Sequence, residues 1–174
     1  MKRELNVYFG KINVDNWSLY LATTEKGVCF IGRHFNDLAQ WLNKKHPGSK
    51  LIEDPGKIAA YANQLEEYFT GRRKVLDLPL DMMGTSFQKA VWQELQKIPY
   101  GETASYAEIA ERVGKPKAVR AIGGAVGANP ILIAVPCHRV IRKSGELGGY
   151  REGLSMKRKL LKLENMNIDH RTGM

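Results

Sequence analysis

No stretch of the chain approaches the roughly 18 consecutive apolar residues that a helix needs to cross a bilayer, which excludes a helical membrane span. The opening residues, Met1-Lys2-Arg3-Glu4-Leu5-Asn6, carry charge with no apolar segment behind it, so no secretory leader is expected and the expected location is cytoplasmic. Cysteine is scarce. Cys29 and Cys137 are the only two in 174 residues, too few for a disulfide framework or a cysteine-rich metal module. There is no internal repeat and no low-complexity tract, which sets aside solenoid and linker architectures. Negative charge is also short, with 18 Asp and Glu against 27 Lys and Arg, a formal charge of +9.

That charge is unevenly placed. Residues 1–83 hold 12 basic against 10 acidic side chains and residues 84–174 hold 15 against 8, so the second half carries most of the excess. A polyanion is the partner such a surface fits, through release of condensed counterions.

The first half reads as a small α/β domain. Leu19-Tyr20-Leu21-Ala22 and Val28-Cys29-Phe30-Ile31 flank the turn-like Thr24-Glu25-Lys26-Gly27 and predict a β-hairpin. Asn36 or Asp37 is placed to cap a helix bearing Leu38, Trp41 and Leu42. Asp54-Pro55 supplies a cap and first-turn proline for a second helix, whose Ile58, Tyr61, Ala62, Leu65, Tyr68 and Phe69 share one face before Gly71. Cys29 and His34 are metal-capable but lack a matching pair, so no metal site is expected.

The pattern breaks across Leu78-Pro79-Leu80-Asp81-Met82-Met83-Gly84, which sets domains of 1–83 and 84–174. The second domain reads as mainly helical. Thr85 or Ser86 caps a helix with Phe87, Ala90, Val91, Trp92 and Leu95 facing inward, ending before Pro99. Ser105 and Glu108 have the spacing of a capping box and open a helix bearing Ile109, Ala110 and Val113, which Gly114 ends. Lys115-Pro116 then turns the chain into a second helix over residues 117–127, broken by Asn129-Pro130. Two short helices about a tight turn suggest a helix-turn-helix, with the second helix meeting DNA. Its small residues, Ala118, Ala121, Gly123, Gly124 and Ala125, allow close approach, and Arg120 is the long cation in its middle. It lacks a base-reading set of Asn, Gln and Arg, so it suits positioning better than sequence reading. The alternative is an ordinary helical hairpin packed through small residues. The polar tail from Asn165 is expected to fray.

Chemistry concentrates at Pro136-Cys137-His138-Arg139-Val140. The preceding Ile131-Leu132-Ile133-Ala134-Val135 reads as a short buried strand stopped by Pro136, placing the thiol at a strand exit. The thiolate is the reactive form of cysteine, and the adjacent imidazole and guanidinium favour it electrostatically. In extended backbone, neighbouring side chains point to opposite faces, so a Cys137–His138 contact would need a kink or a bridging water. A third group is required to orient the imidazole. Two other classes fit parts of this pattern. A helix-turn-helix regulator leaves the cysteine motif unexplained, and a cysteine hydrolase places its base across a cleft from the sulfur.

Taken together, these stretches resemble the O6-alkylguanine-DNA alkyltransferases, also called methylated-DNA–protein-cysteine methyltransferases. The resemblance rests on Pro136-Cys137-His138-Arg139-Val140, on Ser86-Phe87-Gln88 with Val91-Trp92, on Ile98-Pro99-Tyr100-Gly101, and on the loop Gly148-Gly149-Tyr150. It is strong over residues 84–164 and extends to residues 1–83 only in general layout, where it implies a ribonuclease-H-like fold. It implies a direct-reversal repair protein, monomeric and without a cofactor or obligate protein partner. Its substrate would be O6-alkylguanine in double-stranded DNA, with O4-alkylthymine as a second candidate. Cys137 would take the alkyl group irreversibly, once per molecule. His138 would act on the thiol through a water and Glu164 would hold the histidine. Tyr106, preceded by Ser105 at the DNA surface, would hydrogen-bond the flipped base and assist the leaving group. Arg120 would enter the duplex in place of the base, with Ala121 and Gly123 lying beside it against the DNA. Asn129 would support the recognition helix and active-site loop, while the backbone of Cys137 and Val140 would read the guanine amine beside Tyr150. Two departures stand out. Arg151 occupies the place where vertebrate members have a serine contacting O6, and no set of zinc ligands is evident.

Overall fold

The structure is a computed structural model and describes residues 4–164; the polar tail from Asn165 lies outside the described residues. The chain divides into two compact units, Met1–Met83 and Gly84–Met174.

The first unit is a four-stranded sheet with two helices. Strands β1 (Asn6–Val14), β2 (Trp17–Thr23) and β3 (Val28–Gly32) form an antiparallel meander, and β4 (Lys50–Glu53) returns parallel to β1, giving the order β3-β2-β1-β4. The hairpin expected around residues 24–27 is the β2–β3 connection, where Thr24 N donates to Gly27 O at 2.9 Å. Helix α1 (Phe35–Lys45) precedes β4, and α2 (Pro55–Phe69) packs on β1 and β2. The α1 cap differs from expectation: His34 holds that position, and both Asn36 and Asp37 lie within the first turn. Asp54 is the N-cap of α2 and Pro55 its first residue, where the missing N–H costs nothing. Val7, Phe9, Ala22, Cys29, Phe30, Leu38 and Leu42 pack into one core between the sheet and α1.

The second unit is mainly helical. Helix α3 (Ser86–Leu95) opens with a complete capping box between Thr85 and Gln88, and α4 (Tyr106–Arg112) opens with one between Ser105 and Glu108. Helix α5 (Val119–Gly127) follows, then α6 (Leu154–Leu163). Val91, Trp92 and Leu95 are the buried face of α3, whereas Ala90 is exposed, contrary to the inward face expected for it. Trp92 Nε1 donates to Ala125 O at 2.9 Å, tying α3 to α5, and Gly84 makes room for the Trp92 ring, which a Cβ there would meet at 2.6 Å. Two short parallel strands, β5 (Ala104–Ser105) and β6 (Val140–Ile141), bring the start of α4 beside the segment that follows Cys137.

Residues 131–135 do not form the expected strand. Val135 N donates to Ile131 O at 3.0 Å, Ala134 N to Leu132 O at 2.8 Å, and Ile133 sits at φ +72. Their side chains are largely buried, which explains the apolar run, but Asn129 takes the backbone groups a ladder would need. Its Nδ2 donates to Val135 O at 2.8 Å and its Oδ1 accepts from Ile131 N at 2.9 Å.

Candidate active site

Cys137 begins a 3-10 turn, Cys137–Arg139, so the backbone is kinked where the cysteine and histidine adjoin. The thiol lines a cavity of about 690 Å³ together with Tyr106, Arg120, Gly123, Asn129, Tyr150 and Arg151. Ala121 and Arg120 are exposed on α5, and Ser105 is half-buried where it caps α4. Val140 is buried one residue past the turn. The cavity wall is formed closely at Gly148, whose φ of +72 suits glycine and where a Cβ would lie 3.1 Å from Tyr106 Oη.

Behind the thiol lies a buried ionic cluster. His138 Nε2 is 2.8 Å from Glu164 Oε2, and Arg139 grips the same carboxylate through Nε at 2.8 Å and a terminal nitrogen at 3.0 Å, while also donating to Ile98 O at 2.7 Å. Glu164, at the C-terminal end of α6, is 1% exposed. Burial alone would raise its pKa, but the bonds and charges of His138 and Arg139 prevail and hold it at about 2. Burial pushes His138 below the ordinary imidazole value despite the carboxylate, so the ring is neutral at neutral pH. A carboxylate can only accept, so Nε2 carries the proton and Nδ1 presents a lone pair. That Nδ1 is buried without a hydrogen-bond partner among the described residues.

Burial also pushes the Cys137 thiol up, while the Asn129 side chain, the charges of Arg151 and Lys157 and a main-chain hydrogen bond at Cys137 itself pull it back toward the thiolate. The cations that serve Cys137 are therefore distant in sequence, whereas its neighbour Arg139, expected to favour the thiolate, is committed to Glu164. Arg151 lies in the serine place of the resemblance and donates from a terminal nitrogen to Asn129 O at 2.8 Å. Tyr106 and Tyr150 are both raised above the ordinary phenol value, by burial first and then by the field of Cys137. Both are protonated donors at neutral pH.

Lys157 is the residue that sequence patterning passed over. It sits on α6 with no exposed surface, and its Nζ donates to the carbonyls of Val140, Leu147 and Gly149. A lysine on a basic helix gives no local sign of being buried.

A buried thiol lining a half-open cavity, with tyrosine donors on its walls and a histidine–carboxylate pair behind it, is the arrangement of a cysteine nucleophile. Residues 86–166 match the family model described as the DNA binding domain of 6-O-methylguanine DNA methyltransferase, and residues 7–82 match the ribonuclease-like domain of the same family. An inducible methylated-DNA–protein-cysteine methyltransferase of Bacillus subtilis is 48% identical over 172 residues, covering 94% of this chain and 96% of that protein. One from Methanosarcina mazei is 44% identical over 162 residues, covering 93% and 99%. Among solved structures, the O6-methylguanine methyltransferase of Mycobacterium tuberculosis superposes with a TM-score of 0.78 at 40% identity, covering 91% of this chain and 92% of that one. The Mycobacterium tuberculosis protein in complex with DNA gives 0.77, with the same identity and coverage. The chain belongs to the methylated-DNA–protein-cysteine methyltransferase family, and its function is DNA repair by alkyl transfer to cysteine.

Proposed function

We propose that the protein takes the alkyl group from O6-alkylguanine, with O4-alkylthymine as a second candidate, in double-stranded DNA onto Cys137, irreversibly and once per molecule. The observation that carries this reading is the convergence of Cys137, Tyr106, Asn129, Arg120 and Arg151 on a single cavity, with His138 and Glu164 behind the thiol.

Helices α4 and α5 act as a helix-turn-helix, with the exposed, small-residue face of α5 laid against the duplex. The damaged nucleotide turns out of the stack into the cavity at a cost of a few kcal/mol, part of which Arg120 recovers by entering the gap. The carbonyls of Cys137 and Val140 accept from the guanine amine, and Tyr150 packs beside the base. In the chemical step the thiol proton passes through a water to His138 Nδ1, and Glu164 steadies the resulting imidazolium. The sulfur attacks the alkyl carbon in line with the C–O6 bond. An S–C bond forms as C–O6 breaks, the electron pair leaves with the guanine, and Tyr106 supplies the hydrogen bond and proton that the base takes up. The product thioether has no leaving group that the protein could expel. The protein is proposed to work as a monomer in the cytoplasm, where a reducing milieu suits its two free thiols.

The test is intact-protein mass spectrometry after mixing with a duplex containing O6-methylguanine, followed by peptide mapping. One added methyl on Cys137, saturating at one per protein, is the expected result. DNA binding without an adduct would return the chain to the regulator reading. Within the scheme, Tyr106→Phe slows transfer and leaves DNA affinity near wild type; a large affinity loss at a normal single-turnover rate would remove Tyr106 from the leaving-group role.

A further inference from the structure

A buried lysine is an expensive way to fill space. Lys157 is 0% exposed, and burial lowers its pKa to about 8, so the fold bears a cost for holding an ammonium there at neutral pH. A methionine or leucine would fill the volume without that cost. The ammonium has three N–H groups, and three main-chain carbonyls receive them: Val140 at 2.7 Å, Gly149 at 3.1 Å, and Leu147. These carbonyls lie at the two ends of the loop over residues 141–148. One end follows directly from the turn bearing Cys137, and the other leads into the cavity wall at Gly148, Gly149 and Tyr150. The tip closes on itself, with Arg142 N donating to Glu146 O at 2.8 Å and Gly145 N to Arg142 O at 2.9 Å. The charge of Lys157 also reaches Cys137, on the side that favours the thiolate.

We propose that Lys157 is a positioning residue for alkyl transfer, docking both ends of the active-site loop onto α6 so that the Val140 carbonyl and the cavity wall are set beside Cys137. The inference rests on the alkyl-transfer reading above. Convergence of three carbonyls on one point requires the tetrahedral ammonium. A guanidinium is a planar fork and cannot reproduce it, although it keeps the charge.

Single-turnover transfer from an O6-methylguanine duplex, over a range of DNA concentrations, gives a saturating rate and a half-saturating concentration. Lys157→Met is expected to lower the saturating rate at least about tenfold and to leave the half-saturating concentration within about threefold. Lys157→Arg is expected to slow transfer as well, although it keeps the charge. A folded Lys157→Met protein with a wild-type saturating rate would overturn the proposal. Should Lys157→Met fail to fold, a wild-type transfer rate in Lys157→Arg overturns the positioning role on its own. Wild-type protein that takes up no methyl at all would instead sink the alkyl-transfer reading.

Discussion

Cys29 and Cys137 are the same side chain at nearly the same depth, 0% and 5% exposed, and burial raises the pKa of both. They differ in what surrounds them. Cys29 lies in β3 amid Val7, Phe9, Phe30 and Leu38, its thiol 3.6 Å from Ala22 O, with the negative Asp81 as its nearest charge influence, and it is pushed up to about 12. Cys137 is met by an amide donor and two cations and opens onto a cavity large enough for a flipped base. Burial and a neighbouring carboxylate thus hold the Cys29 thiol protonated, whereas the groups around Cys137 offset part of the effect of its burial.

The sharpest way to break this comparison is to remove the reactive member. Cys137→Ser is expected to abolish methyl uptake entirely, because an alcohol in the same place is far less ionised and a harder nucleophile toward carbon. Mass spectrometry showing methyl on Cys29 in that variant would mean that the surroundings do not distinguish the two thiols.

Next in size is the carboxylate behind His138. Glu164→Gln leaves Arg139 buried beside a neutral amide and removes the group that fixes the imidazole tautomer, so transfer should fall about 100-fold and stability by about 3 kcal/mol. The pH dependence has a definite sign. A carboxyl held at about 2 against its ordinary 4.5 contributes stability that is fully present above 4.5 and lost as pH falls toward 2. Wild-type melting temperature should therefore drop across that window, and Glu164→Gln should show a shallower drop. Parallel curves would mean that the ion cluster does not stabilise the fold.

What could be read from the sequence follows the range of the interactions involved. The capping box at Ser105–Glu108 is a four-residue device that stands where its spacing put it, and Thr85, one of the two candidate caps, heads α3. The β2–β3 hairpin was equally local. Strands β1 and β4 gave no clear signal: β1 mixes polar and apolar residues along its nine positions, and Lys50–Glu53 is a short edge strand that only pairing with β1 defines. Residues 131–135 misled because a run of β-branched and apolar side chains is also what wraps around a buried asparagine, and nothing local reveals that Asn129 will take up their backbone groups. The cysteine motif marked the thiol that lines the cavity, but the adjacent Arg139 turned away to Glu164. The cations that reach the sulfur, Arg151 and Lys157, are brought there by the loop and α6. Glu164 entered only through family resemblance, since a lone glutamate near the end of a basic helix carries no signal of its own.

A smaller effect tests whether charge across the cavity matters. Arg151 is latched to Asn129 O and its field favours the Cys137 thiolate, so Arg151→Ala should move the Cys137 titration to higher pH and slow transfer about tenfold. Iodoacetamide labelling across pH reads the first and single-turnover kinetics the second. A slower transfer with an unchanged titration would reduce Arg151 to a loop latch.

The smallest effect belongs to the silent thiol. Cys29→Ala removes one buried sulfur from the β-sheet core without touching any residue of the cavity, so transfer should proceed at the wild-type rate while stability falls by about 1 kcal/mol from the lost packing. The relevant measurement pairs single-turnover kinetics with thermal melting of the same preparation. A loss of stability with full activity places Cys29 on the packing side of the comparison. A slowed transfer would show that the sheet core reaches the chemistry at Cys137, and the division between a structural and a reactive cysteine would no longer hold.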